Sequence, residues 1–292
     1  MNTFSYGMEA VLQSQECAQP VGHEVGFVGG AAGTSRMRVR PAVLMRDVGV
    51  TFATNSDPVV ALARVNLSVH EHEFVSIVGP SGCGKSTILR LVSSLLQPSS
   101  GEIQILGRSA EEARRRCSFG VVFQSSVMLP WLSAIQNVEL PLEVIGKTHE
   151  QIPAPPAQLL EMVGLKGYET LYPRQLSGGM RQRVAIARAL SFDPPILLMD
   201  EPFAAVDALT RQRLQSLLLN IWNRARKTVL FITHDVYEAV MLSDRILVMS
   251  RSPGQVEAEI DVDLPRPRAD SVKTQPEYIA LCTQVFDVLT RT

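Results

Sequence analysis

The chain has 292 residues, of which 46% are hydrophobic and 20% are charged, and its formal net charge is -1. This length supports one sizeable α/β core, or one core with a lobe attached, and the near-neutral charge gives no sign of a nucleic-acid-binding surface. The four cysteines form no CxxC pair and no zinc-like spacing, which is typical of a reduced cytosolic protein. No apolar run approaches the roughly 18 to 20 residues of a membrane helix, so work at a membrane would require a partner.

The first segment, residues 1–41, is rich in Gly, Ala, Gln and Ser and shows no hydrophobic period. We predict that it is a disordered extension. It does not resemble a signal peptide, because no Lys or Arg precedes Arg36. An alternative that stays open is a start site further along the chain, at Met37 or Met45.

Short apolar runs predict β-strands through the next part of the chain. These runs are residues 42–52, 65–69, 74–78, 102–106 and 119–123. The run at 74–78 ends in a glycine-rich turn, and the apolar spacing after that turn predicts a helix that includes Ile88 and Leu95.

Residues from about 125 to 185 change character and are predicted to form an inserted helical lobe. Prolines at 153, 155 and 156 should stop any earlier helix, and a new helix can begin near Pro156.

Strands and helices alternate again after the lobe. Residues 196–199 and 229–232 are short apolar runs typical of buried parallel strands, and 245–249 is predicted to be another strand. Between the first two runs, apolar residues from Leu214 to Trp222 share one helical face. Apolar residues from Ile279 to Leu289 predict a final amphipathic helix.

The stretch GPSGCGKST, residues 79–87, matches G-x-x-x-x-G-K-[ST] between a strand and a helix. Backbone N–H groups and the helix N-terminus can hold phosphates there. We expect Lys85 to reach the β- and γ-phosphates of a nucleotide, and Ser86 to bind Mg²⁺. Cys83 is interpreted as a passive loop residue. The predicted nucleotide-binding residues in this stretch are Gly79, Pro80, Ser81, Gly82, Cys83, Gly84, Lys85, Ser86 and Thr87.

Acidic and polar residues follow other predicted strands. In ILLMDEP, residues 196–202, Asp200 is predicted to bind Mg²⁺, and Glu201 to polarise the water that attacks the γ-phosphate. His234, in THD, follows the next apolar run and could contact the γ-phosphate. Gln124, after the strand GVVF, could reach Mg²⁺ or the attacking water.

A second glycine-rich turn, LSGGMRQR, occupies residues 176–183. Ser177 can cap the helix that starts near Gly179, and Gly178 and Gly179 leave backbone N–H groups uncovered for an anion. One nucleotide site does not need two such turns. We therefore predict that each chain lends this turn to the nucleotide of a second copy, which gives a two-fold dimer with two shared ATP sites.

These motifs occur in the order and rough spacing of an ABC transporter ATPase subunit, and the chain resembles that family over residues 42–268. The resemblance implies a P-loop NTPase fold: a RecA-like α/β core, an antiparallel β subdomain, an α-helical subdomain at about 125–185, and a helical tail at 269–292. It also implies ATP and Mg²⁺ as ligands and a head-to-tail homodimer. Further residues that the resemblance assigns to ATP are Phe52, which would stack on adenine, and Ser177, Gly179 and Asp207.

A finer resemblance connects FQSSVMLPWLSAIQNV and PGQVEAEIDVDLPRPR to the ATPases of nitrate, sulfonate and taurine importers. It implies a peripheral protein on the cytoplasmic face of the cell membrane that binds permease subunits and works with a solute-binding protein. The region around Pro130 and Trp131 would face the permease.

Two alternative functions are that of a soluble ABC ATPase that acts on ribosomes or DNA, and that of a regulatory module that holds ATP without turnover. The chain departs from the family pattern outside the catalytic set, at the three prolines of the lobe and at Met180, His72, Ser93 and Ser94. A glycine is common where His72 stands, and an Ala-Gly pair where Ser93 and Ser94 stand.

Overall fold

The computed structural model describes residues 40–53, 57–204 and 206–291. The predicted extension therefore lies outside the described residues, except for Arg40 and Pro41. Pro41 already belongs to the first strand, one residue before the predicted start.

Strands and helices alternate along the described chain. They are β1 (Pro41–Phe52), β2 (Val59–His70), β3 (Phe74–Val78), α1 (Lys85–Val92), β4 (Ser100–Ile105), β5 (Arg108–Ser109), α2 (Ala110–Arg115), β6 (Phe119–Val122), α3 (Ala134–Ile145), α4 (Pro156–Met162), α5 (Gly178–Leu190), β7 (Ile196–Asp200), α6 (Ala208–Ala225), β8 (Thr228–Ile232), α7 (Val236–Leu242), β9 (Arg245–Met249), β10 (Val256–Asp261) and α8 (Pro276–Arg291).

Two sheets organise these elements. A four-stranded antiparallel sheet has the order β2-β1-β4-β5, and a six-stranded sheet has the order β10-β9-β3-β8-β7-β6. In the larger sheet β6, β7, β8, β3 and β9 are parallel, and β10 pairs antiparallel at one edge. The carboxyl ends of β6, β7 and β8 therefore lie side by side.

The large sheet is buried on both faces. Phe74 and Val78 of β3 pack into one apolar layer, with α5, α6 and α7, whereas Val75 and Ile77 pack into the other, with α1 and the antiparallel sheet. Continuous burial explains why the parallel strands have short, mostly apolar sequences. The predicted α/β core with an antiparallel sheet is confirmed.

Helices α3, α4 and α5 form the predicted helical region, and α5 contacts both of the others. Pro156 is the first residue of α4, as predicted, because a proline at this position has no N–H to leave unpaired. Ser133 caps α3 in a complete capping box with Gln136.

Several predictions of local structure were incomplete. β2 begins six residues earlier than predicted, and β10, α2 and α7 were missed. Arg181 and Arg183 of α5, which periodicity would place on its exposed face, are half-buried and donate to loop carbonyls, Arg183 to those of Val163 and Gly164. None of the helices in the described ranges has the length and apolar character needed to cross a bilayer.

Candidate active site

The phosphate loop connects β3 to α1, and its backbone requires glycine. Gly84 caps α1 with a φ of 98°, in the left-handed region that glycine adopts without strain. Gly79 is needed for space, because a Cβ there would lie 2.9 Å from the Cys83 sulfur and 3.0 Å from the Met249 Cβ. Cys83 itself is buried, which fits the predicted passive role. Ser81 and Gly82 are exposed at the tip of the loop.

Lys85, the first residue of α1, has its ammonium group folded back onto the loop. Its Nζ donates to the backbone oxygens of Gly79, at 2.7 Å, and Pro80, at 2.8 Å. The side chain is only 6% exposed. The charge is thus held beside the loop in which we expect phosphates to bind.

Asp200 lies at the carboxyl end of β7, next to Ser86 at the start of α1. It is 8% exposed, and burial raises its pKa, whereas a hydrogen bond from the Ser86 side chain acts in the opposite direction. Its Oδ1 atom is buried and has no hydrogen-bond partner in the described chain. A carboxylate oxygen left unpaired beside a hydroxyl fits the oxygen ligands that Mg²⁺ prefers.

Gln124, Glu201 and His234 meet at a single oxygen atom. Glu201 Oε2 accepts a hydrogen bond from Gln124 Nε2 at 3.1 Å and lies 3.2 Å from His234 Nδ1. Glu201 directly follows β7, and Gln124 and His234 lie two residues after the ends of β6 and β8. These three strands are neighbours in the sheet. The predicted catalytic carboxylate, amide and imidazole are therefore brought together by strand order.

The Glu201 backbone has a φ of 43°, which is unusual for a residue with a side chain. Its N–H donates to the Ile232 carbonyl at 2.9 Å, and this bond to the next strand holds the conformation in place. Strained residues of this kind cluster at functional sites.

The second glycine-rich turn has the predicted cap. The Ser177 hydroxyl accepts from the Met180 N–H at 3.2 Å at the start of α5. A Cβ added to Gly178 would meet only one atom within 4 Å, an Arg181 side-chain nitrogen at 4.0 Å. Among the described residues, open space therefore lies in front of this turn, and no neighbouring atom requires a glycine at 178.

Asp207 and Phe52 lie outside the group around Glu201. Asp207 caps α6 by accepting from the Thr210 N–H at 3.0 Å, and backbone hydrogen bonds lower the pKa of its carboxyl. Phe52 ends β1 and is 40% exposed. Across the parts of the chain that the structure describes, no hydrogen bond or ion pair joins Ser177 or Asp207 to the phosphate loop.

Sequence reasoning missed a buried amide that supports the site. Gln182 of α5 is 1% exposed and donates from Nε2 to the Phe123 carbonyl at 3.0 Å, directly before Gln124. It ties the helix of the second glycine-rich turn to the end of β6. A polar residue at a core position of an otherwise apolar helical face was the signal that could have revealed it.

Comparisons with known proteins place the chain beside a known family. Residues 62–204 match the model of the ABC transporter family. The chain is 47% identical over 251 residues to a nitrate import ATP-binding protein of Synechococcus elongatus, which covers 84% of this chain and 90% of that protein. It is 44% identical over 234 residues to a taurine import ATP-binding protein of Rhizobium johnstonii, and this match covers 78% of this chain and 88% of that protein.

Among solved structures, the chain is similar to a dimeric ATP-binding cassette in a post-hydrolysis state with ADP and phosphate bound. The TM-score is 0.69 and the identity 37%, and the match covers 76% of this chain and all of the other.

Proposed function

Because this chain belongs to the ABC transporter family as an ATP-binding, ATP-hydrolysing subunit, we propose that it energises the import of a small anion such as nitrate, taurine or another sulfonate. The identity to import proteins for nitrate and for taurine supports the anion class. The meeting of Gln124, Glu201 and His234 at one oxygen carries the proposed chemistry.

In the proposed reaction, the Glu201 carboxylate accepts a proton from the water that attacks the γ-phosphate. Gln124 orients that water, and His234 donates to the γ-phosphate or to Glu201. Lys85 and the loop N–H groups hold the β- and γ-phosphates. Phe52 would stack on the adenine. The products are ADP and phosphate.

The residues present fit Mg²⁺. Ser86, Asp200 and Gln124 would hold the ion, and the unpaired buried Oδ1 of Asp200 supports that assignment. When bound, Mg²⁺ neutralises charge on the phosphate oxygens. Deprotonation of Asp200 is then favoured by the ion, against the effect of burial.

We further propose a head-to-tail homodimer in which Ser177 and Gly179 contact the partner's ATP, with Asp207 beside them. The support is the open space at Gly178 together with a capped helix N-terminus, which is suited to an anion. The dimeric state of the similar cassette gives further support. ATP would close the dimer and hydrolysis would open it.

The proposed membrane partner is a permease dimer, served by a solute-binding protein on the other side, with this chain on the cytoplasmic face. Large apolar side chains on the helical region are exposed, among them Val127 at 55% and Trp131 at 68%. Both lie in the segment that leads into α3, and exposed apolar side chains that form a patch are typical of a protein contact.

The catalytic assignment is tested by Glu201→Gln, which keeps the shape of the side chain but removes the base. We expect kcat for ATP hydrolysis to fall by about 10² to 10⁴ while ATP still binds. Glu257→Ala, an exposed carboxylate on β10, is the matched control. Full turnover in Glu201→Gln would refute the assignment, and no turnover in the wild type would favour the module that only holds ATP.

The transport assignment is tested by capture of the tagged protein from gently solubilised native membranes. A co-purifying multi-span permease supports the importer, and its binding protein can then be screened against nitrate, taurine and sulfonates. Recovery with ribosomes or DNA from the soluble fraction would instead favour the soluble ABC ATPase.

A further inference from the structure

The imidazole of His234 is positioned by its backbone neighbours. Its side chain is 63% exposed, and its contact within the described chain is with Glu201. Thr233, by contrast, is 2% exposed, and its N–H donates to the Ile77 carbonyl of β3 at 3.2 Å. The Thr233 hydroxyl accepts from the Asp235 N–H at 3.0 Å. The orientation of the imidazole therefore depends on the turn formed by residues 233–235.

Glu238 of α7 forms hydrogen bonds with both residues that flank His234 in that turn. Its Oε2 accepts from the Thr233 hydroxyl at 2.8 Å, and its own N–H donates to Asp235 Oδ1 at 3.1 Å. Glu238 is 6% exposed, and burial raises the pKa of its carboxyl. Burying a carboxylate is unfavourable, and an apolar residue at position 238 would avoid that unfavourable free energy. The hydrogen bonds to the turn give a physical reason for the glutamate.

The other oxygen of Glu238 connects the turn to α6. Oε1 accepts from Gln215 Nε2 at 3.1 Å, and Gln215 is 7% exposed. One helical turn earlier, the Arg211 guanidinium lies 3.8 Å from Asp235 and 3.9 Å from Glu238. Because α6 begins directly after Asp207, this network joins two segments that carry residues of the proposed site.

We propose that Glu238 is a positioning residue for ATP hydrolysis, which fixes the turn on both sides of His234 and couples it through Gln215 to α6. The inference rests on the proposed role of His234. Without the Glu238 carboxylate, the Thr233 hydroxyl can rotate and the imidazole can leave Glu201. Displacement of a reacting group by about 1 Å can lower a rate by about 100-fold.

The first measurement is steady-state ATP hydrolysis by the full-length chain with Glu238→Ala. We expect kcat to fall at least about tenfold and KM for ATP to change less than about twofold. The reason is that, among the described residues, no hydrogen bond or ion pair of the Glu238 side chain reaches the phosphate loop. Glu238→Gln should keep about half of the wild-type rate or more. The oxygen of the new amide can accept from the Thr233 hydroxyl, and its NH₂ group can donate to the Gln215 oxygen once the Gln215 amide rotates by about 180°. Glu257→Ala is the exposed control. A large rise in KM with unchanged kcat would overturn the proposal.

The second measurement separates positioning from general damage, by repeating Glu238→Ala in a His234→Ala background under single-turnover conditions. If Glu238 acts through His234, its effect should shrink to below about twofold. Undiminished loss would overturn the positioning role and leave the proposed function standing. A full rate in His234→Ala alone would instead refute the proposed site.

Folding is checked by thermal unfolding. A cavity of about 490 Å³, lined in part by Arg211, Gln215 and Glu238, gives water access to the network, so that Glu238→Ala should fold. If it does not, Gln215→Ala removes one hydrogen bond of Glu238 and should lower kcat by about threefold, again only when His234 is present.

A third measurement is the NMR resonance of the His234 ring, identified by its loss in His234→Ala. It should shift in both Glu238→Ala and Gln215→Ala, and an unchanged resonance would contradict the proposal.

Discussion

Replacement of Ser94 by glycine should stabilise the protein, because Ser94 combines two unfavourable features. It is the second residue after α1, and its φ of 56° lies in the left-handed region. This conformation lets the Leu95 and Leu96 N–H groups donate to the Arg90 carbonyl and end the helix. In addition, the Ser94 hydroxyl is buried and has no partner among the described residues.

The expected gain follows from three contributions. A side chain at left-handed φ is unfavourable by about 1 kcal/mol, and an unpaired buried hydroxyl by about 1 to 3 kcal/mol. Glycine itself lowers the free energy of unfolding by about 0.5 to 1 kcal/mol, because it gives the unfolded chain more conformational entropy. The net gain for Ser94→Gly is thus about 1 to 3.5 kcal/mol, or about 2 to 14 °C in the midpoint of thermal unfolding.

Two further variants separate these contributions in the same thermal-unfolding assay. Ser94→Ala removes the hydroxyl but keeps a Cβ at positive φ, so it should recover about 1 kcal/mol. Ser93→Gly should destabilise by a similar amount, because Ser93 has a φ of -78° and its hydroxyl donates to the Arg90 carbonyl at 3.2 Å. Equal midpoints for Ser94→Gly and the wild type would show that neither feature is unfavourable here.

Three other predictions concern the site and the first strand. Because burial raises the pKa of Asp200, its carboxylate is protonated at a higher pH than that of an exposed aspartate. The Mg²⁺ concentration for half-maximal hydrolysis should therefore rise as the pH falls toward this pKa, and a pH-independent value would contradict the metal assignment. Gly178→Ala should raise thermal stability slightly yet lower turnover at least about tenfold, whereas unchanged turnover would refute a role for this turn at a partner's ATP. A chain started at Met45 should unfold at lower temperature than one started at Met37, since it lacks Ala42 and Val43 of β1, both fully buried; equal midpoints would contradict this.

The sequence was most informative where a motif and a strand coincide. The phosphate loop, Asp200 and Glu201 each follow a short apolar run, and β3, β8 and β9 lie within one or two residues of their predicted bounds. The order of strands in the sheet could not be read from these runs. Only that order, with β6, β7 and β8 adjacent, explains why Gln124 and His234 reach the same oxygen of Glu201.

The supporting residues were hidden for a different reason. Gln182, Gln215 and Glu238 are single polar residues on helices whose partners lie 59, 23 and 5 positions away in sequence. Helical periodicity reports which face is buried, and it does not report what a buried amide or carboxylate contacts. Helix α7 has only seven residues, so its own period was too short to be recognised.

The departures from the family pattern gain a physical meaning once the backbone angles are known. His72 and Ser94, noted where glycine is common, have φ values of 66° and 56°, so the chain keeps the left-handed turns without the residue that adopts them most readily. Glu201 has a similar φ of 43°, but its N–H is bonded to the Ile232 carbonyl and its carboxylate contacts Gln124 and His234. A glycine could relieve strain at all three positions, and only at Glu201 would it also remove the group proposed to activate water. Strain at positive φ therefore marks function here only where the side chain is itself engaged at the site.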